Sequence, residues 1–508
     1  MTAARLPARR VGALPYAAIG VGAVASGIAA QAITALALLF YNQVVGMSAT
    51  AVGLVLMLSL IGDAFWDPAI GLWSDATLSR LGRRHPFMYA AVVPTGIAFW
   101  ALWNPPADLS DAGNFAYLLV TIMAVRFFSS LYEVPATSLI PEIAPDYDKR
   151  TGFVSVLYFG GVSGLVLASL LAFQIFLSDR AGGVHNPAGY GRFGLWCGVV
   201  ISLSFLFATI GTHRQIPHLA NPPEDGNGGK LRRALSQVAA AFSNRNFLAI
   251  MIASLFSGLS TGVSNTLTTY FNVYFWGLST DQLSGLALPI LVASIVSVSI
   301  TPALTRRYDK KRVAMGGLAL AATAAVLPIG LRLLGILPGN DWPWLMPFLL
   351  GQIFLASVLA LTGLIAITSM LADVVEDNAA RTGYRSEGLF FSANTLVNKC
   401  VTGLGTLLAG AMLTWVSFPA DAKPGAFSAS LMHKLGVIYV PIALLLGIIS
   451  LVTIHFFRID RAQHQANLSR LASAAPTEAG TIATGEPEFL GMPVASGVPG
   501  TVPGKASA

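Results

Sequence analysis

Long apolar runs recur along this chain at the length that a bilayer demands. A membrane-crossing helix needs roughly 20 consecutive residues with few charges. Twelve such spans can be placed, at about 13–42, 51–74, 86–104, 115–140, 152–177, 193–212, 246–276, 283–304, 313–336, 344–372, 389–416 and 433–457. Only helices or closed barrels satisfy their backbone inside hydrocarbon, and spans this long and uniformly apolar are helical. The composition agrees: 11% of residues are charged, where a soluble protein carries about 25%. The expected fold is therefore all-α and integral to the membrane, with twelve transmembrane helices. Cys197 and Cys400 are the only cysteines and both fall in spans, so no disulfide framework is expected. Met1 to Arg10 reads as the lead-in to a retained first helix, not as a cleaved signal.

The net charge of +7 would suit a nucleic-acid binder, but its distribution says otherwise. Of the 31 Lys and Arg residues, 24 fall on alternate loops and the two ends, five on the other loops and two within spans. The positive-inside rule then places both termini in the cytoplasm and the protein in the cell inner (plasma) membrane. The expected partners are the lipid bilayer and a small-molecule substrate; no nucleic acid is expected, and the chain should act as a monomer.

The spans divide into six helices over 1–212 and six over 246–461, separated by a cytoplasmic loop at 213–245. That loop carries Pro217, Pro222 and Pro223, then an amphipathic stretch over 231–242 that suits either an interfacial helix or a polar linker. Similar short basic turns follow the second helix (Asp75 to Arg84) and the eighth (Thr305 to Arg312), a weak repetition of the kind seen in repeat-built transporters. Residues 462–508, rich in Ala, Gly, Pro, Ser and Thr, are expected to form a disordered tail.

Against this apolar background stand five intramembrane ionisable residues: Asp63, Asp67, Arg126, Glu133 and Lys399. Charges at such depth are expensive, so they pair, line a wet cavity or carry ions. Three acids and two bases leave the set one negative charge from neutral, and one bound cation would balance it. Asp63 and Asp67 are four apart and share a helix face. Arg126 and Glu133, seven apart, share another. The aspartates are read as a cation site or as structural ion-pair partners of Arg126 and Lys399. Lys399 suits a mobile counter-charge or an anionic substrate group. Arg126, nearer the outer end, suits a pairing or a functional role.

The run from Gly62 to Asp75 (GDAFWDPAIGLWSD), with Ser79 to Arg84 (SRLGRR) and Pro86-Phe87, resembles the glycoside–pentoside–hexuronide:cation symporters of the major facilitator superfamily. So do Val134-Pro135, Leu139 to Glu142, Asp146 to Thr151 and Leu371 to Val375, with Arg381, Arg385 and Glu387 to Phe391. The resemblance runs from the first helix to the last. It implies a major facilitator fold of two six-helix halves and symport of a sugar or glycoside with H+ or Na+ by alternating access. By comparison with the melibiose permease-like members, Asp63, Asp67, Ser130 and Lys399 would hold the cation, and Glu133 would hold the sugar. Thr137 and Tyr158 stand where those members have a tryptophan and an arginine, Ser26 or Gly27 where they have an acid, and Trp66 where an amide lies between the aspartates. The cation machinery thus looks kept while the galactoside pocket does not. Trp66 offers no oxygen ligand, which favours a proton. Asn394 and Asn398, with Lys399, complete the expected pocket. Asp75, Arg80, Arg83, Arg84, Arg381 and Arg385 would latch conformational states. No cofactor and no resident metal are expected.

Two rivals follow from the same residues. A related lysophospholipid carrier keeps the paired aspartates and the lysine, so a lysolipid-like or other amphipathic substrate is the first. Asp63 to Asp67 and Asp373 to Asp377 are both DxxxD motifs, as in membrane prenyltransferases that hold a magnesium–diphosphate pair, and this enzyme reading is the distant second.

Overall fold

A computed structural model describes residues 12–77, 79–143, 147–216, 245–382, 387–419 and 429–457. Among the described residues, twelve helices are long and apolar enough to cross a membrane. They are α1 (Ala13–Gln43), α2 (Ala49–Ala76), α3 (His85–Leu102), α4 (Asp111–Ile143), α5 (Tyr147–Leu170, continuing as a π-turn Leu171–Phe176) and α6 (Pro187–His213). The second six are α7 (Arg245–Phe275), α8 (Thr280–Tyr308), α9 (Lys310–Leu333), α10 (Leu345–Thr382), α11 (Glu387–Trp415) and α12 (Ala429–His455). Among the described residues no strand occurs. The all-α, twelve-helix membrane architecture is as expected. Helix α10 outruns its hydrophobic span by about ten residues, because its polar end continues as helix past Leu371 into Asp373 and Asp377. The interfacial stretch at 231–242 and the tail at 462–508 lie outside the described residues.

Within the first six helices α1 packs on α5 and α6, and α3 on α4 and α6. Within the second six α7 packs on α11 and α12, and α10 on α8 and α9. Small residues let these backbones approach, the device that membrane helices use in place of a hydrophobic drive. At Gly27 an added Cβ would lie 2.1 Å from the carbonyl oxygen of Gly161 on α5, so only glycine permits the α1–α5 crossing. At Gly410 it would lie 2.4 Å from the carbonyl oxygen of Ala49, and this closeness ties α11 to α2 across the two sets.

The two sets are sealed at one end. There the Gln43 amide donates to the Pro419 carbonyl (2.9 Å) and the Tyr270 hydroxyl to Asn42 (2.9 Å). Gln174 donates to Ser284 (2.7 Å), and the Asp179 backbone N–H donates to Thr280 (3.0 Å). At the opposite end, which carries the basic loops, the ion pairs among the described residues each stay within one set. Asp75 meets Arg84 at 3.3 Å and Arg83 at 3.8 Å, both arginines also bond Glu142, and Lys310 clasps Asp373 at 2.6 Å. The layout is a bundle tied at one face and joined at mid-depth by α2 and α11.

Candidate functional site

Helix α2 stays helical through Pro68, and the 3.6-residue repeat turns Asp63 and Asp67 to the side that faces α4 and α11. Asp63 is buried. Its Oδ2 accepts from Arg126 Nη1 at 2.8 Å and lies 3.7 Å from Lys399 Nζ. Its Oδ1 accepts from the Trp66 indole N–H at 3.2 Å. Lys399 also bonds Asp67 Oδ2. Arg126, read from sequence as nearer the outer end, is thus a full member of the cluster. Two acids and two bases form a neutral tetrad, drawn from both sets of six helices. The remaining oxygen, Asp67 Oδ1, is buried and bonded to no other group. The Trp66 ring is set edge-on to Phe127, with ring centroids 5.7 Å apart.

Helix α4 repeats polar groups at intervals of three and four: Arg126, Ser130, Glu133 and Thr137. Arg126 belongs to the tetrad, and Ser130, one helical turn further along, is buried. Glu133 and Thr137 face a cavity of about 320 Å³ between α1, α4 and α5, which Tyr158 and Ser26 also line. Tyr158 exposes 71% of its surface on the wall of this same cavity. Four of the five intramembrane ionisable groups thus form a matched set. Glu133 makes no ion pair with them at contact distance among the described residues, but lies within electrostatic reach of Lys399, Asp63 and Asp67.

A second cavity, about 930 Å³, lies between α1 and α5 of the first set and α7 to α10 and α12 of the second. Ser26, Gly161 and Val162 line both, so the two adjoin. Its walls carry hydroxyls and amides, and among the described residues no ionisable side chain. This region was missed from sequence. The available signal was a run of Ser, Thr and Asn along α7, dilute enough to leave that span apolar on average. Asn394 and Asn398, expected in the pocket, sit on α11 outside both sets of lining residues; the Asn398 amide donates to the Asn394 carbonyl at 3.0 Å.

At the basic end, Asp75, Arg83 and Arg84 come together as expected, with Glu142 added from α4, while Arg80 is exposed. The side chain of Arg381 and the whole of Arg385 lie outside the described residues. Asp373, part of the second DxxxD motif, is held by Lys310, and among the described residues no cluster of His, Cys, Asp and Glu is arranged to hold a metal.

The chain matches the family of MFS/sugar transport proteins over residues 18–461. It is 26% identical to an uncharacterized symporter of Synechocystis sp., over 88% of this chain and 94% of that one. It is 22% identical to the isoprimeverose transporter of Lactiplantibacillus pentosus, over 84% of each. The fold is shared with a crystal structure of a bacterial homologue of the human lysosomal transporter Spinster, in an inward-facing and unoccupied conformation: TM-score 0.63, 15% identity, 90% of this chain and 97% of that one. With a family match that spans six-sevenths of its length and motifs that run through it, the chain belongs to the MFS/sugar transport proteins, as a glycoside–pentoside–hexuronide:cation symporter family member.

Proposed function

We propose that this protein carries a neutral sugar or glycoside across the cell membrane in symport with a proton, with both termini in the cytoplasm. The observation that supports this reading most is the neutral tetrad bridging the two six-helix halves. Asp67 is tied to Lys399 through one oxygen and keeps the other buried and open. A hard metal cation prefers several oxygen ligands at once. Asp63 offers none that is not already accepting from Arg126, Lys399 or Trp66. A proton needs only the one free oxygen. Once Asp67 is neutral, its hold on Lys399 weakens, and with it the mid-depth link between α2 and α11. Under the positive-inside orientation the sealed end faces outward, so the arrangement suits a state that releases its load to the cytoplasm.

Glu133 provides the polar anchor for substrate. A carboxylate accepts hydrogen bonds from sugar hydroxyls, and the Tyr158 ring offers an apolar face for the C–H side of a pyranose. The walls of both cavities carry no Lys, Arg or His among the described residues, which weighs against a lysolipid phosphate or any other anionic head group.

The reading is tested with the purified chain in proteoliposomes. An inward proton gradient in sodium-free buffer should drive accumulation of at least one of xylose, lactose and isoprimeverose above its external level. Accumulation that needs sodium would reject the proton, and no transport of any saccharide would reject the substrate class.

A further inference from the structure

Helix α7 carries more polar side chains than a lipid-facing or simply packed helix tolerates. Ser257, Thr261, Ser264 and Thr268 recur three or four residues apart, Asn265 and Asn272 lie beside them on the same face, and all six line the larger cavity. Polar groups at this depth are kept where they meet a wet space or a ligand. The two threonines satisfy themselves on the helix, Thr261 donating to the Ser257 carbonyl at 2.8 Å and Thr268 to that of Ser264 at 2.6 Å, while the Ser264 hydroxyl accepts from Tyr439 at 3.1 Å. The two asparagines do not. Neither side-chain amide has a hydrogen-bond partner among the described residues, although each offers two donors and an acceptor. Across the cavity, Gln31 on α1 is fixed by its bond to Ser169 (3.2 Å) and Gln352 on α10 by its bond to the Ala324 carbonyl (2.9 Å). Four amides from three helices thus converge on a space of about 930 Å³ that opens onto the Glu133 cavity. That volume is near the upper end of small-molecule sites, more than one sugar ring requires.

Resting on the glycoside reading above, we infer that Gln31, Asn265, Asn272 and Gln352 form a second sugar subsite, supplied mainly by the second half. It receives the next residue of an uncharged disaccharide or longer glycoside whose first ring sits at Glu133. Side-chain amides pair with hydroxyl pairs as donor and acceptor together, and a wall without ionisable groups leaves an anionic unit with no counter-charge. The subsite therefore selects for chain length and against uronates and sulfonates.

The test uses the full chain in nanodiscs and titration calorimetry with lactose, cellobiose and isoprimeverose, each beside its constituent monosaccharides, and with cellobiouronate as the anionic probe. The wild-type protein should bind at least one neutral disaccharide about tenfold or more tighter than its monosaccharides, and cellobiouronate no better than glucose. The double variant Asn265→Ala/Asn272→Ala should lower disaccharide affinity to the monosaccharide level and leave monosaccharide affinity unchanged, which also shows that the variant is folded. Gln352→Ala, on a different helix, should do the same in smaller degree. Equal loss for mono- and disaccharide, or no loss for either, overturns the subsite while leaving the glycoside reading intact. Tight binding of cellobiouronate overturns its selection against charge. A wild-type protein that binds no saccharide of the panel overturns the glycoside reading and the subsite with it.

Discussion

The tetrad of Asp63, Asp67, Arg126 and Lys399 and the cavity around Glu133 both place charge at the depth of the membrane core, and they do it in opposite ways. In the tetrad every charge is matched, and the match is shared between halves through Lys399. In the cavity Glu133 stands among Ser26, Tyr132, Thr137, Tyr158 and apolar walls, with no base in the lining and Lys399 acting on it only from beyond contact distance. A matched set resists a further ion unless one internal bond gives way, so binding there is coupled to a change in how α2 and α11 are joined. A lone acceptor needs no rearrangement to receive hydroxyl groups. Under the proposed function the difference gives coupling to one region and recognition to the other, although they are separated by about two turns of α4.

The largest effect should follow from breaking the matched set. Asp63→Asn leaves Arg126 and Lys399 facing a single carboxylate, and removing one member of a buried pair costs about 3–5 kcal/mol. Gradient-driven accumulation in proteoliposomes should fall to the equilibrium level, while downhill exchange continues. Full accumulation would break the comparison, because the tetrad would then be scaffold alone.

Next comes Glu133→Ala, which should weaken saccharide binding by about 1–3 kcal/mol, tenfold or more, with protein level unchanged. The ratio of protons to saccharide in the residual flux should not move. An altered ratio with intact affinity would mean that the lone carboxylate takes part in coupling.

Lys399→Ala sharpens the boundary between the regions. Its ammonium is spent on the two aspartates, so saccharide affinity should survive while accumulation is lost, and Lys399→Arg should restore accumulation only in part because a planar fork replaces a point charge. A collapse of binding in both variants would place Lys399 in the substrate site.

The smallest effect is expected at the basic end, where the half-exposed Asp75 meets Arg84 at 3.3 Å and Arg83 at 3.8 Å. Exposed pairs contribute about 1 kcal/mol or less, so Asp75→Asn should slow turnover a few-fold without changing affinity. A change in affinity would show that this latch reaches the cavity.

Much of this was legible in the chain. Twelve helices follow from apolar length alone, and the i, i+4 spacing puts Asp63 and Asp67 on one face before any contact is known. The grouping of Asp75 with Arg83 and Arg84 follows from their closeness along the chain. Long-range pairing was not legible: 63 residues separate Arg126 from Asp63, and only the packing of α4 on α2 reveals that it belongs to the tetrad. The amides of α7 were hidden for another reason. Hydropathy averages over a span, and Asn265 and Asn272 are diluted by Val263, Leu267, Phe271 and Val273. Asn394 and Asn398 were read as pocket residues from their closeness to Lys399, and they line neither of the two cavities.

The most direct test of the division between coupling and recognition is a paired measurement on Asp67→Asn: saccharide affinity by calorimetry, and accumulation under an inward proton gradient without sodium. The substitution replaces the one buried, open carboxylate oxygen with an amide that cannot take up a proton. Wild-type affinity with accumulation abolished is the predicted result. Accumulation that survives in Asp67→Asn, or an affinity lost together with it, would contradict the account.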